Sequence, residues 1–117
     1  MSFVQLLQYA ACILTIATGI FALFWPKATQ GFTGLIPEGG RGITEIRAVT
    51  GGLFIALGLV PLLLGSQPLF FMLGVSYLAI AVVRLISIFF DQSALPSNWI
   101  SLAVEVLLGL ILIWGGW

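Results

Sequence analysis

The chain has 117 residues, of which 61% are hydrophobic and only 7% are charged. A soluble domain usually carries roughly 25% charged residues, so this composition could not cover a water-exposed surface and predicts an integral membrane protein. Four Lys and Arg balance four Asp and Glu, which excludes the clustered basic residues that nucleic-acid binding requires. The chain has no histidine, and Cys12 is its single cysteine, which excludes an internal disulfide.

Apolar runs predict the helices. The hydrocarbon core of a bilayer is roughly 30 Å thick and is crossed by about 20 apolar helical residues. Four stretches meet this length, namely residues 3–25, 44–65, 69–90 and 98–117. The first begins in "MSFVQLLQ", which lacks the positive region of a signal peptide, so it is predicted to be retained. The predicted fold class is all-α: one transmembrane domain over residues 1–117, an integral membrane four-helix bundle with antiparallel neighbouring helices.

The only long predicted connection is residues 26–43. Its "PEGGRG" stretch is typical of turns, and its "WPKATQGFTGL" stretch predicts a short amphipathic piece in the membrane interface. The four tryptophans lie near predicted span ends, as in the aromatic belts of membrane proteins. They are Trp25, Trp99, Trp114 and Trp117.

Charge asymmetry predicts the orientation. Lys27 and Arg41 lie in the long loop, whereas the side that carries both termini has no Lys or Arg. The positive-inside rule therefore predicts a cytoplasmic loop and both termini outside.

Two charges fall inside predicted spans. Arg84 lies six residues before Phe90 and Glu105 lies seven residues after Asn98, so each is about 10 Å inside its helix end at about 1.5 Å per residue. A lone charge at the bilayer centre costs about 2.5 to 3.5 kcal/mol on insertion scales. The two side chains are therefore predicted to contact each other, or to share a polar network with Glu45 and Arg47.

Helical spacing extends this prediction to a polar pocket. Tyr77, Arg84 and Asp91 share one stripe of the third span with Ala81 and Ser87. In the fourth span, Ser101, Glu105 and Gly109 form the corresponding stripe. Two interpretations remain open: the charges form a functional site, or Arg84 and Glu105 only fix helix register while the second span's charges anchor it at the interface. The candidate pocket residues are Glu45, Arg47, Tyr77, Arg84, Asp91 and Glu105.

Small residues predict where helices approach closely. In membranes, small side chains at steps of four residues allow another helix to come near. The second span offers such a face, and the first span offers another. The predicted packing residues are Ala48, Gly52 and Ala56 in the second span, and Ala11, Thr15 and Gly19 in the first.

The available side chains offer little for catalysis. Without histidine and with one cysteine, the usual zinc sites and the Cys–His nucleophile are excluded, as is a histidine haem ligand. Glu45, Asp91 and Glu105 could hold a cation or carry protons, but arginines compete as their counter-ions. No catalytic residue and no metal site is predicted. A small exporter is disfavoured, because such transporters carry a glutamate in the first helix and this one has no charge there.

Three stretches carry a family resemblance: "TEIRAVTGGLFIALGL", "VVRLISIFFDQSALPSNW" and "VEVLLGL". The chain resembles a family of short four-span bacterial membrane proteins of unknown function, grouped with the DoxX-like superfamily. The Glu-x-Arg-Ala-x-x-Gly-Gly element at residues 45–52 is the most distinctive match, and Thr50 departs from an expected aromatic residue. The resemblance implies a helical bundle in a bacterial inner membrane. Some DoxX-like relatives are linked to quinone-dependent chemistry.

The function expected from the sequence is that of a non-catalytic accessory or assembly subunit. Its expected partners are membrane lipid and other membrane subunits or a second copy, and not nucleic acid. The alternative is a lipophilic-ligand or quinone-linked component that uses the polar pocket. No cofactor is predicted, with lipid or quinone as the possible ligands of that alternative.

Overall fold

The computed structural model describes residues 2–114, which contain no strand, and the predicted all-α class is confirmed. Four helices are long and apolar enough to cross a membrane, which indicates an integral membrane protein. They are α1 (Phe3–Phe24), α2 (Gly39–Leu64), α3 (Gln67–Phe90) and α4 (Pro96–Trp114).

Three helices begin earlier than the apolar runs suggest, and the smallest differences are at α3, which starts at Gln67 rather than at residue 69, and at α4. Helix α2 starts at Gly39 rather than at residue 44, because its first turns are polar and glycine-rich and carry no hydrophobic signal. Helix α4 starts at Pro96, a residue that suits the first turn because it needs no amide hydrogen there. The predicted end of the last span at Trp117 lies outside the described residues.

The connection between α1 and α2 is partly helical. A 3₁₀ turn spans Pro26–Thr29 and a short helical turn follows at Gln30–Thr33. The Thr29 hydroxyl donates to the Pro26 carbonyl at 2.6 Å, and both residues are buried. The ring of Phe21, near the end of α1, lies 5.7 Å from the ring of Phe32, which fixes this turn against α1. The exposed face of the connection is apolar, with Trp25, Leu35 and Ile36 all more than half exposed.

Helix α2 contains a wide segment. Residues Ile46–Leu53 form a π-helix, in which the backbone bonds join residues five apart instead of four. The two buried residues of this segment, Ile46 and Gly51, are therefore five positions apart. Beyond it, the ordinary α-helix buries Gly58 and Pro61.

The chain divides into two compact units, residues 1–8 with 65–117, and residues 9–64. In the first, α3 and α4 form a hairpin whose helices approach closely at two glycines. A Cβ on Gly74 would lie 2.9 Å from the Gly109 carbonyl oxygen, and a Cβ on Gly109 would lie 3.1 Å from that of Gly74. Because neither position has room for a side chain, this contact sets the separation of the two helices. The largest buried side chains of this unit include Phe70, Ile88 and Leu112.

In the second unit, α1 and α2 also meet at glycines. A Cβ on Gly19 would lie 2.7 Å from the carbonyl oxygen of Gly51, and a Cβ on Gly58 would lie 2.6 Å from that of Cys12. Cys12 is itself fully buried at this contact. The backbones of the two helices therefore touch at two levels.

The packing face of α2 differs from the predicted one. Ala11, Thr15 and Gly19 of α1 are buried, but Ala48, Gly52 and Ala56 of α2 are exposed. The contact with α1 is made instead by Gly51 and Gly58. The prediction counted in steps of three and four from Glu45 along an α-helix, and the π-helix displaces the buried face by one residue. The small residues predicted to allow close approach of another helix therefore form an exposed stripe, called here the small-residue face (Ala48, Gly52, Ala56).

Candidate functional site

The central polar contact of the α3–α4 hairpin joins Arg84 to Glu105. The Arg84 Nε donates to Glu105 Oε1 at 2.8 Å, and Arg84 Nη2 donates to Glu105 Oε2 at 2.7 Å. This is the bidentate geometry in which a guanidinium and a carboxylate bind most strongly. Glu105 is buried, and about a quarter of the Arg84 side chain remains exposed. Each charge is thus compensated within the hairpin itself.

Asn98 extends this contact into the loop between α3 and α4. Its Oδ1 accepts a hydrogen bond from Arg84 Nη1 at 2.8 Å, and its Nδ2 donates to the Ser93 carbonyl at 3.0 Å. The loop turns at Gln92, which has a left-handed φ of 50°. The amide therefore couples the conformation of this loop to the position of the guanidinium.

The other predicted pocket residues of this hairpin lie apart from the ion pair. Asp91 is exposed at the end of α3 and accepts a hydrogen bond from the Ser87 hydroxyl at 2.6 Å. Tyr77 is buried two turns before Arg84 on the same helix. Asp91 thus belongs to the helix end, whereas Tyr77 belongs to the buried face of α3.

A groove opens beside the guanidinium, with a cavity volume of about 500 Å³. Its polar residues lie toward the C-terminal end of α3 and the start of α4, and its apolar residues lie nearer the middle of α3. We call it the Arg84 groove. It is lined by Ala79, Ile80, Val83, Arg84, Ser87 and Asn98.

The two predicted charges of α2 have different surroundings. Glu45 forms an ion pair with Arg41 at 2.5 Å, one turn earlier on the same helix, and both side chains are mostly exposed. Arg47 is exposed in the π-helical segment, and no hydrogen bond or ion pair of its side chain occurs within residues 2–114. That these charges share one pocket with Arg84 and Glu105 stays a prediction.

A second polar contact, absent from the predictions, involves two glutamines. The fully buried amide of Gln8 in α1 donates to the carbonyls of Ile111 and Leu112 at 3.4 and 3.2 Å. Its Oε1 accepts from the amide of Gln67, at the start of α3, at 3.4 Å. The available signal was a pair of glutamines inside an apolar run, since Gln5 and Gln8 are the only polar side chains among residues 3–8.

The acidic side chains do not form a metal site. Within residues 2–114, no group of three or more His, Cys, Asp and Glu side chains is placed to hold a metal ion. The carboxylates of Glu45 and Glu105 each face an arginine. The arrangement holds the Arg84 guanidinium in a fixed position and leaves some of its N–H groups free to donate to another molecule.

Comparison with known proteins identifies the family. The family model described as "Domain of unknown function (DUF4345)" matches residues 3–115, nearly the whole chain. The chain belongs to this family. No curated protein and no solved structure matches it. The DUF4345 description names no activity, so a function for this member has to be argued from the residues described above.

Proposed function

We propose that this DUF4345 protein is a non-catalytic membrane subunit that assembles through helix α2 with another membrane protein or with a second copy of itself. The observation that carries the proposal is Arg47, an exposed cation in a candidate span without a partner among residues 2–114. The other two arginines, Arg41 and Arg84, each form an ion pair with a glutamate.

The position of Arg47 calls for a compensating group. It lies eight residues after Gly39, the first residue of α2. An arginine inside a span is costly, by about 2.5 to 3.5 kcal/mol at the centre, and such charges are normally compensated by a partner or by the interface. A carboxylate on a neighbouring helix would remove this cost, and it would also give the contact a defined register.

The surface beside Arg47 suits a neighbouring helix. The small-residue face continues along the exposed side of α2 from Ala48. A Cβ on Gly52 would meet only the carbonyl oxygen of Arg47, at 3.9 Å, so a partner helix has room to approach the backbone here. In lipid the hydrophobic effect gives no preference for one apolar surface over another, and van der Waals packing at such close approaches is one of the forces that associate helices.

The paired charges favour a scaffold over an enzyme. A general base or a proton carrier needs a carboxylate free to change its protonation state. Glu105 accepts both of its hydrogen bonds from Arg84, and Glu45 faces Arg41. The Arg84–Glu105 pair holds α3 and α4 together, and a fixed arrangement of helices is what a subunit with a docking surface requires.

Particle composition in mild detergent tests this function. The tagged protein is purified from its native host, its particle mass is measured by light scattering, and its proteins are identified by mass spectrometry. We expect a particle heavier than one chain with its detergent. Arg47→Leu and Gly52→Leu should lower that mass, whereas Arg47→Lys should preserve it.

Val82→Leu is the matched control, because it enlarges an exposed side chain on α3 instead of α2. Its particle should equal the wild-type particle in mass and composition. A wild-type particle that contains one chain and no stoichiometric protein partner would refute the proposed function. Whether the heavier particle holds one kind of chain or two decides between self-assembly and a different partner.

A further inference from the structure

We propose that the Arg84 groove binds a membrane glycerolipid through an ester carbonyl of the lipid. The site goes beyond the proposed assembly role, since it lies on the α3–α4 hairpin and uses none of the α2 residues that carry that role. Three properties of the groove support lipid binding: its unused hydrogen-bond donors, its charge balance and its change from polar to apolar lining.

The donors come from Arg84 and Asn98. A guanidinium has five N–H donors, and Arg84 uses three of them on Glu105 and Asn98. Two N–H groups remain, one each on Nη1 and Nη2, on a side chain that is 27% exposed and lines the groove. The Asn98 amide donates one of its two hydrogens to Ser93 and retains the other. The groove therefore presents spare donors, and its natural ligand atom is an acceptor.

The charge balance indicates a neutral acceptor. Glu105 compensates the charge of Arg84 at 2.7 Å, so the pair as a whole has no net charge to attract an anion. Asp91, which is exposed and accepts a hydrogen bond from the groove residue Ser87, adds a negative charge at the end of α3. A phosphate is therefore disfavoured, whereas an uncharged carbonyl oxygen can accept the spare N–H hydrogens.

The lining of the groove changes from polar to apolar along its length, as a lipid does from its headgroup to its acyl chains. Ser87 lies one turn beyond Arg84 toward the end of α3, and Ile80 lies about 6 Å from Arg84 toward the middle of the helix at about 1.5 Å per residue. The apolar part, formed by Ala79, Ile80 and Val83, is suited to an acyl chain. An ester carbonyl joins an acyl chain to a headgroup, so one lipid can fill both parts. The volume of about 500 Å³ lies in the usual range of ligand sites, roughly 300 to 1,000 Å³.

Two lipids that differ only at the carbonyl test the site. Delipidated protein in detergent is incubated with dioleoyl phosphatidylcholine or with its ether-linked analogue, which has the same chains and headgroup but no carbonyls. After washing, the retained lipid per chain is quantified by mass spectrometry. We expect about one ester lipid per chain and roughly fivefold weaker retention of the ether lipid, as for the loss of one net hydrogen bond.

Two tryptophan variants locate the site on the chain. Val83→Trp places a bulky ring in the groove and should lower retention of the ester lipid severalfold. Val82→Trp is the matched control, since Val82 is similarly exposed on α3 but does not line the groove, and it should retain lipid like the wild type. Melting curves of both variants establish that they are folded.

Several results would overturn the proposal. Equal retention of the ester and ether lipids by the wild-type chain would exclude recognition of a carbonyl, and this comparison requires no variant. Equal effects of Val83→Trp and Val82→Trp would exclude the groove as the site. Displacement of the ester lipid by an equimolar amount of a short-chain quinone would make the quinone, and not the glycerolipid, the occupant.

Discussion

Arg84 and Glu105 meet through two parallel hydrogen bonds of 2.8 and 2.7 Å, from Nε to Oε1 and from Nη2 to Oε2. The two residues stand on consecutive helices of a hairpin, so the contact fixes the register of α3 against α4. The glycine contact between Gly74 and Gly109 fixes the same pair of helices closer to the other end of the hairpin. Together the two contacts determine both the separation and the register of this hairpin.

Removal of one partner of the ion pair should destabilise the protein strongly. Arg84→Leu leaves Glu105 buried without its counter-ion, and Glu105→Leu leaves the guanidinium uncompensated. Each loss is expected to lower the free energy of unfolding by about 3 to 5 kcal/mol, as for buried pairs in soluble proteins. Thermal unfolding in detergent measures the change. The double replacement should be more stable than either single variant, and additive losses would show that the two side chains are not energetic partners.

The buried amide of Gln8 gives a second stability prediction. Gln8→Leu removes its bonds to the carbonyls of Ile111 and Leu112 and leaves the Gln67 amide without its acceptor. The expected loss is about 1 to 3 kcal/mol, since buried polar groups become unsatisfied. Gln5→Leu is the control, because exposed Gln5 only closes the capping box with Ser2 at the start of α1. A loss at Gln5 equal to or greater than that at Gln8 would contradict the prediction.

Two glycines of α2 should respond to alanine in opposite ways. At Gly58 a Cβ would lie 2.6 Å from the Cys12 carbonyl oxygen, so Gly58→Ala must push α1 and α2 apart and lower the melting temperature. At exposed Gly52 the space is open, and Gly52→Ala should leave the melting temperature unchanged or raise it, since alanine favours a helix over glycine by about 1 kcal/mol. Both variants are compared by thermal unfolding of the purified chain in one detergent. Equal shifts at the two positions would refute the observed packing face.

The positive charges predict the orientation in the membrane. Lys27 and Arg41 lie between the apolar parts of α1 and α2, and we expect that side to face the cytoplasm. A reporter enzyme fused after the last residue and active only in the cytoplasm should therefore be inactive. The same reporter inserted after Gly34 in the loop is the matched positive control. Activity of the C-terminal fusion would reverse the orientation.

The sequence was sufficient to predict the helices, because each contains a long apolar run and glycines or prolines mark the connections. It also indicated a contact between Arg84 and Glu105, since two charges at equal depth on consecutive spans can compensate each other. Asn98 was not assigned to this network. Its role depends on how the loop turns at Gln92, and the left-handed conformation of a glutamine has no reliable sequence signal.

The face of α2 could not be obtained from periodicity. The prediction assumed an α-helix throughout, and steps of three and four from Glu45 lead to Gly52 rather than to the buried Gly51. A π-helix is rare and has a wider turn than an α-helix, so a pattern of apolar residues interpreted with the α-helical period does not reveal it. The ion pair between Glu45 and Arg41 was not predicted, for a related reason. Arg41 lies in a glycine-rich stretch that is typical of a loop but forms the first turns of α2.

The wide segment Ile46–Leu53 contains one residue more than an α-helix would use to turn through the same angle about the helix axis. Deletion of Thr50 would allow this stretch to relax to an ordinary α-helix. The turns that precede it, including Arg41 and Glu45, would then keep both their sequence and their angular position relative to Gly58, because the α-helix covers the same angle with one residue fewer. The wide segment is thus a place at which α2 can lose one residue without turning its charged end, whereas a deletion in the regular α-helix beyond it would turn that end by about 100°.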